Sequence, residues 1–126
     1  MELQATEVLA ELNRRGGYSL SLLCTEQGLL IASDGDLGRS EVAAGLASLL
    51  NDIALRAMRD FSVDEVDEMT ILSESGRFIV RALAAGFTPR VFLVVHAPYR
   101  ATWRRITTAA ARKLSIIIRP LLDTAP

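Results

Sequence analysis

Two residues in this sequence carry side chains able to do covalent or acid–base chemistry near neutrality, and each type occurs once: Cys24 and His96. A nucleophilic thiol needs a neighbouring histidine, another base or a helix N-terminus to lower its pKa. Cys24 instead ends the apolar run Tyr18 to Cys24, where it reads as a small hydrophobe. A Cys24–His96 pair in space stays open on sequence alone, as a thiol-enzyme reading. One cysteine excludes an internal disulfide and a CxxC metal site, and a lone histidine without Cys or carboxylate partners at ligand spacing makes no zinc site.

Gly35 and Gly38 raise the question of a phosphate cradle. The loop lacks GxxxxGK[ST], offers only Arg39, and carries Asp34 and Asp36, which repel phosphate. It reads as a loop into a helix. The acidic run Asp64 to Glu68 lacks the alternating ligands and closing Glu of a calcium loop and reads as a solvated linker. Trp103, Phe78, Phe87 and Phe92 do not interleave with bases as a nucleic-acid stacking platform would, so they are core candidates. The expectation is a chain with no catalytic residues, no metal and no cofactor.

A chain of 126 residues fits one domain, spanning 1–126. Half the residues are apolar and mean hydropathy is +0.27, which points to apolar surface buried against a partner as well as internally. No apolar run approaches the roughly 20 residues of a membrane span. The acidic, helix-patterned start MELQATEVLAELNRR is unlike a signal peptide. With a single cysteine, these features point to a reducing cytoplasm and no membrane insertion.

Net charge is −1, but residues 1–76 hold 14 acids against 5 arginines and residues 77–126 hold Asp123 against 9 bases. Either the two parts lie side by side and neutralise one another, or a basic face awaits an acidic partner. Nucleic acid fits poorly with a pI near 5.8.

The elements that position these residues follow from periodicity. Ala5, Val8, Leu9 and Leu12 form one stripe of a helix over Leu3–Arg15, stopped by Gly16 and Gly17. Tyr18–Cys24 and Leu29–Ser33 are short strands joined at Glu26, Gln27 and Gly28. Ser40 is a candidate N-cap for a long helix from Glu41 to about Asp60. That helix carries two apolar rows: Val42, Leu46, Leu49, Ile53 and Ala57, and Ala43, Ala47, Leu50, Ala54 and Met58. One row packs on the chain's own sheet, and the small residues of the second would let a partner helix approach closely.

Met69–Ser73 and Arg77–Ala84 form a second hairpin. After a link through Phe87 and Arg90, Val91–Val95 is apolar at every position, as a central strand covered on both sides would be. The last helix, Ala101 to about Ile118, sets Trp103, Ile106, Ala110, Leu114 and Ile117 along one face and stops at Pro120. The order α-β-β-α-β-β-β-α predicts an α/β fold, one five-stranded, mostly antiparallel sheet flanked by helices.

The first hairpin, Ser21 to Ser33 with its Gly turn and following LLIAS, resembles that of the roadblock / dynein light-chain domain family, prokaryotic small-GTPase regulators included. So do the helix around Ala43–Met58, the segment Met69–Val80 and Val91–Val95 entering a helix. The resemblance covers about residues 3–116. It implies a profilin-like sandwich and a homodimer made by aligning the edge strand and packing the long helices. The interface would then use Ala47, Leu50, Ala54 and Met58 with Met69, Thr70, Ile71, Leu72 and Ser73. It implies a non-catalytic platform that binds and regulates a Ras-like small GTPase, with or without GTPase activation, through Ser48, Asn51, Asp52, Arg56 and Arg59. The rival readings are a small-molecule sensor and a structural adaptor in a larger complex. The Leu/Ile/Val-rich strands are expected to leave little room for the sensor's pocket.

Overall fold

Val91–Val95 is the apolar run expected at the centre of the sheet, and the sheet forms around it. The computed structural model describes residues 2–83, 89–99 and 102–123. In chain order the elements are α1 (Glu2–Gly16), β1 (Leu20–Thr25), β2 (Leu30–Asp34), α2 (Leu37–Phe61), β3 (Glu68–Ser73), β4 (Gly76–Ala82), β5 (Val91–Ala97) and α3 (Arg104–Asp123). The five strands lie in the order β2-β1-β5-β4-β3, every neighbouring pair antiparallel. This is the α-β-β-α-β-β-β-α sandwich expected from the sequence. The expected strand end at Ala84, the linker residue Phe87 and the expected helix start at Ala101 lie outside the described residues.

Register sorts the side chains by face, since successive residues of a strand point to opposite sides. Leu22 pairs with Val94 and Val80 pairs with Val94, placing all three on one face with Leu20, Cys24 and Phe92. Here α2 lays Ala43, Ala44 and Ala47 against them. Leu23, Ile79, Leu93 and Val95 point the other way and meet Leu9 and Leu12 of α1 and Ala110, Leu114 and Ile118 of α3. No described helix is long and apolar enough to cross a membrane.

Local chemistry sets the joints. Gly17, at φ +67°, takes the left-handed conformation that ends α1. Gly28, at φ +88°, turns the first hairpin. The Tyr18 hydroxyl donates to the Thr102 carbonyl at 2.7 Å, tying the start of the sheet to the approach to α3. Asn13 of α1 donates to both the carbonyl and the carboxylate of Asp34.

Two expected helix ends differ. Helix α2 begins one turn early: Asp36, not Ser40, is the N-cap, its carboxylate accepting from the Arg39 N–H at 2.8 Å. Ser40 is buried and its hydroxyl donates to the Asp36 carbonyl at 2.8 Å. Pro120 sits inside α3 rather than ending it. A proline in the last turn removes one backbone N–H and leaves the following residues free to keep helical angles. Trp103 precedes α3, where its carbonyl accepts the Thr107 N–H at 2.9 Å.

Candidate interaction surface

Helix α2 has two apolar rows, and the structure decides which one the sheet receives. Ala43, Ala44, Ala47 and Ala54 are buried, while Val42, Leu49 and Ile53 are each more than 60 % exposed and Leu46 is 40 % exposed. The row of small residues therefore faces inward, the reverse of the sequence expectation that it receives a partner. Alanines let the helix axis come close to the strands, and the larger side chains are turned to the outside. Ala47 and Ala54, expected at an interface, are occupied by the chain's own sheet. Leu50 packs against the same core from a half-buried position, and Met58 is half-buried.

The helix covers only part of the sheet. It packs chiefly on β1, β2 and β5, and toward the β3 edge part of the same face is left uncovered. A groove of about 470 Å³ opens there, lined by Leu20, Val42, Leu46, Ile71 and Phe78, with Asp36, Arg39 and His96 at its polar end. The sequence reading expected little room for such a pocket. The groove exists because α2 stops short of the β3 edge, which periodicity does not reveal. Strand β3 is an edge strand, as the family resemblance requires of Met69–Ser73. Ile71 and Leu72 are 46 % and 59 % exposed, and Thr70 and Ser73 are exposed with them. Met69 is half-buried against Val80, its register partner.

His96 anchors the polar end of the groove. Its Nδ1 lies 2.9 Å from the Ser19 hydroxyl and 3.1 Å from an Arg39 guanidinium nitrogen. A guanidinium only donates, so Nδ1 accepts there and the ring proton resides on Nε2. Cys24 is not part of this cluster. Leu20 pairs with His96 and Cys24 pairs with Phe92, so the two side chains stand four residues apart, about 13 Å at a strand's rise. Burial pushes the Cys24 thiol up to about 12, which leaves no thiolate near neutrality. Among the described residues, no three His, Cys, Asp or Glu side chains gather to hold a metal.

The expected GTPase-facing residues separate as well. Asp52, Arg56 and Arg59 are exposed, Arg59 donating to the adjacent Asp60 at 3.0 Å. Ser48 is half-buried. Asn51, expected to be exposed, is 2 % exposed, with its carbonyl oxygen 3.5 Å from Arg90. The role of Arg90 was missed: its guanidinium also donates to the Val66 carbonyl at 2.6 Å and lies over the Phe92 ring. It ties the linker after α2 to the sheet. The signal was present, since an Asn midway along a helix whose flanks are apolar needs a buried partner.

Comparison with known proteins completes the picture. No curated protein matches the chain. Among solved structures, MglB of Myxococcus xanthus superposes with a TM-score of 0.82 at 17 % identity, over 98 % of this chain and 94 % of that one. A Roadblock/LC7 domain from Streptomyces avermitilis gives 0.76 at 21 % identity, over 94 % and 98 %. An MglB with tetrameric arrangement gives 0.80 at 20 % identity, over 94 % and 90 %. These likenesses establish a shared fold, and the model of the Roadblock/LC7 domain matches residues 4–96. The chain belongs to the Roadblock/LC7 domain family.

Proposed function

We propose that this chain is a homodimeric, non-catalytic platform that binds and regulates a small Ras-like GTPase. The observation that carries the dimer is the continuous apolar face made by the outer row of α2 and the open β3 edge. A two-fold dimer uses the same patch on both copies. Each copy contributes Val42, Leu46, Leu49 and Ile53, exposed in the isolated chain. At about 1.5–3 kcal/mol per fully buried aliphatic side chain, their burial is of the size needed to offset an association cost of roughly 4–15 kcal/mol. The free backbone groups of β3 can pair antiparallel with the second copy's β3. The MglB with tetrameric arrangement supports self-association of this fold.

The interface residues are thus reassigned. Thr70, Ile71, Leu72 and Ser73 keep their place with Met69 at the edge, and Val42, Leu46, Leu49 and Ile53 replace Ala47 and Ala54. The GTPase reading rests on family membership together with the exposed polar arc of Asp52, Arg56 and Arg59 beside the apolar row. It requires no catalytic group from this chain, because phosphoryl transfer is dominated by positioning and electrostatics that a docked platform can adjust within the GTPase itself.

Two measurements test it. Leu49→Glu halves the mass seen by sedimentation equilibrium, and an unchanged mass removes the α2 row from the interface. Calorimetric titration with a Ras-like GTPase of the same organism, in its GDP form and with a non-hydrolysable GTP analogue, gives binding with a nucleotide preference that Arg56→Glu weakens. Absence of heat with both forms rejects the GTPase as partner.

The groove of about 470 Å³ favours one second reading, a small-molecule sensor, since its volume falls within the roughly 300–1,000 Å³ of ligand sites. A metabolite that raises the melting temperature of wild-type protein but not of Arg39→Ala would establish it. A screen without such a compound rejects it.

A further inference from the structure

On the opposite face of the sheet from α2, the acidic and basic parts of the sequence meet at one place. Strand β4 sends Arg77, Ile79 and Arg81 to this face. The Arg81 guanidinium donates to the Arg104 carbonyl at 3.1 Å and to the Thr107 and Thr108 hydroxyls, each at 2.7 Å. All three acceptors are uncharged, so its charge is held in place but not neutralised. Glu68 stands opposite Arg81 in the strand register and pairs with Arg104 at 3.5 Å. This ion pair joins residues 1–76 to residues 77–126; Arg14–Glu11 and Arg59–Asp60 lie within the first part.

Between β3 and the start of α3 lies a cleft of about 280 Å³, lined by Glu68, Thr70, Leu72, Arg77, Trp103 and Arg104. The Nε of Arg77 is buried with no hydrogen-bond partner among the described residues. The lining thus holds two guanidinium groups, Arg77 and Arg104, against one carboxylate, Glu68, with Arg105 next in the chain.

We propose that this cleft docks an acidic segment of a partner protein. Carboxylates of the segment meet Arg77 and Arg104, whose planar forks match a carboxylate in paired hydrogen bonds. A neighbouring apolar side chain meets Leu72, beside the buried Trp103 ring, over which the Arg104 guanidinium lies at 4.4 Å. The volume lies just below that of small-molecule sites, roughly 300–1,000 Å³, and suits side chains of an extended segment. The cleft is concave, whereas a bilayer presents a flat surface. Nucleic acid is disfavoured by the Glu68 carboxylate on the lining and by a chain of net charge −1. The cleft lies across the sheet from the outer row of α2 and shares Thr70 and Leu72 with the β3 edge, where the proposed dimer pairing uses backbone groups, so this inference does not rest on GTPase binding.

Trp103 is the chain's only tryptophan and lines the cleft, so its emission reports filling in the unmodified protein. The probe is a capped octapeptide alternating Glu and Leu. Wild type gives a saturable emission change that weakens on going from about 0.1 M to about 1 M salt, over which the screening length falls from about 10 Å to 3 Å. Arg77→Gln and Arg104→Glu each raise the dissociation constant about tenfold, as loss of a charge-assisted hydrogen bond does. The Arg104 side chain is 72 % exposed, so its variant folds even if that of Arg77 does not, and circular dichroism verifies both. Arg112→Glu with Lys113→Glu, further along α3, leaves binding within twofold. Three results would overturn the proposal: no saturable change, equal weakening by the Arg112/Lys113 variant, or a response to phosphatidylserine vesicles with none to the peptide.

Discussion

Where α1 and α3 cover the sheet, Leu9, Leu12, Leu114 and Ile118 point inward; where α2 covers it, the inward residues are Ala43, Ala44, Ala47 and Ala54. The first face buries large side chains, and the two helices also pack on each other. On the second, the helix buries small ones against Leu22, Phe92 and Val94 and displays Val42, Leu46, Leu49 and Ile53. One face thus supplies most of the core of the isolated chain. The other holds a helix close to the strands while keeping its larger apolar residues for contact outside the chain.

The contrast can be broken most directly at Leu114, which is fully buried. Leu114→Ala lowers unfolding free energy by about 2–5 kcal/mol, the cost of a core cavity, measured by urea denaturation with an unchanged slope. A loss under about 1 kcal/mol would show that this face carries less of the core than its packing implies. Ala47→Leu sharpens the other side: with no exposed surface at that position, overpacking costs about 1–3 kcal/mol. A stabilised variant would mean that α2 stands off the sheet. Asp36→Ala removes the cap of α2 and costs about 1 kcal/mol, whereas a null result would return the cap to another residue. Leu49→Glu, measured at a dilution where the chain is monomeric, shifts stability by less than about 0.5 kcal/mol, which separates its effect on mass from any effect on folding. Leu50→Glu is not a substitute, since Leu50 packs against the core and the charge would damage the fold.

The smallest effect near neutrality is a pH dependence. Burial holds the native Cys24 thiol to about 12 against an ordinary value of 9.0, and the Tyr18 phenol to about 12 against 10.0. The unfolded chain releases these protons first, so unfolding is favoured as pH rises from about 9 toward 12. Urea midpoints should fall across that window, and Cys24→Ala should flatten the lower part of the fall. Native Cys24 should also resist iodoacetamide at pH near 8, with rapid alkylation only in denaturant.

Element order, hairpin turns and the central place of β5 were legible because alternation, glycine turns and an unbroken apolar run are local signals. The rows of α2 were not. Both are apolar at the same spacing, and periodicity does not say which of two adjacent rows presses on the sheet; side-chain volume decides, in favour of alanine. Asp36 and Ser40 are both good caps four residues apart, so the helix start needed the observed bond to Arg39. Asn51 was read as exposed because its partner, Arg90, lies 39 residues away. The edge position of β3 came from the family resemblance, and the groove beside it from incomplete coverage by α2, which no local pattern encodes.

The bare edge of β3 also bears on how the chain survives in a crowded cell. An uncovered strand with Ile71 and Leu72 at its surface is a template for indiscriminate strand addition. It ends in the turn Glu74–Ser75 and begins at Glu68, so acidic residues flank it as gatekeepers while the middle stays adhesive. Copies made in excess of their companions would be the first to aggregate or to be cleared by proteolysis, tying abundance to stoichiometry without any dedicated regulator.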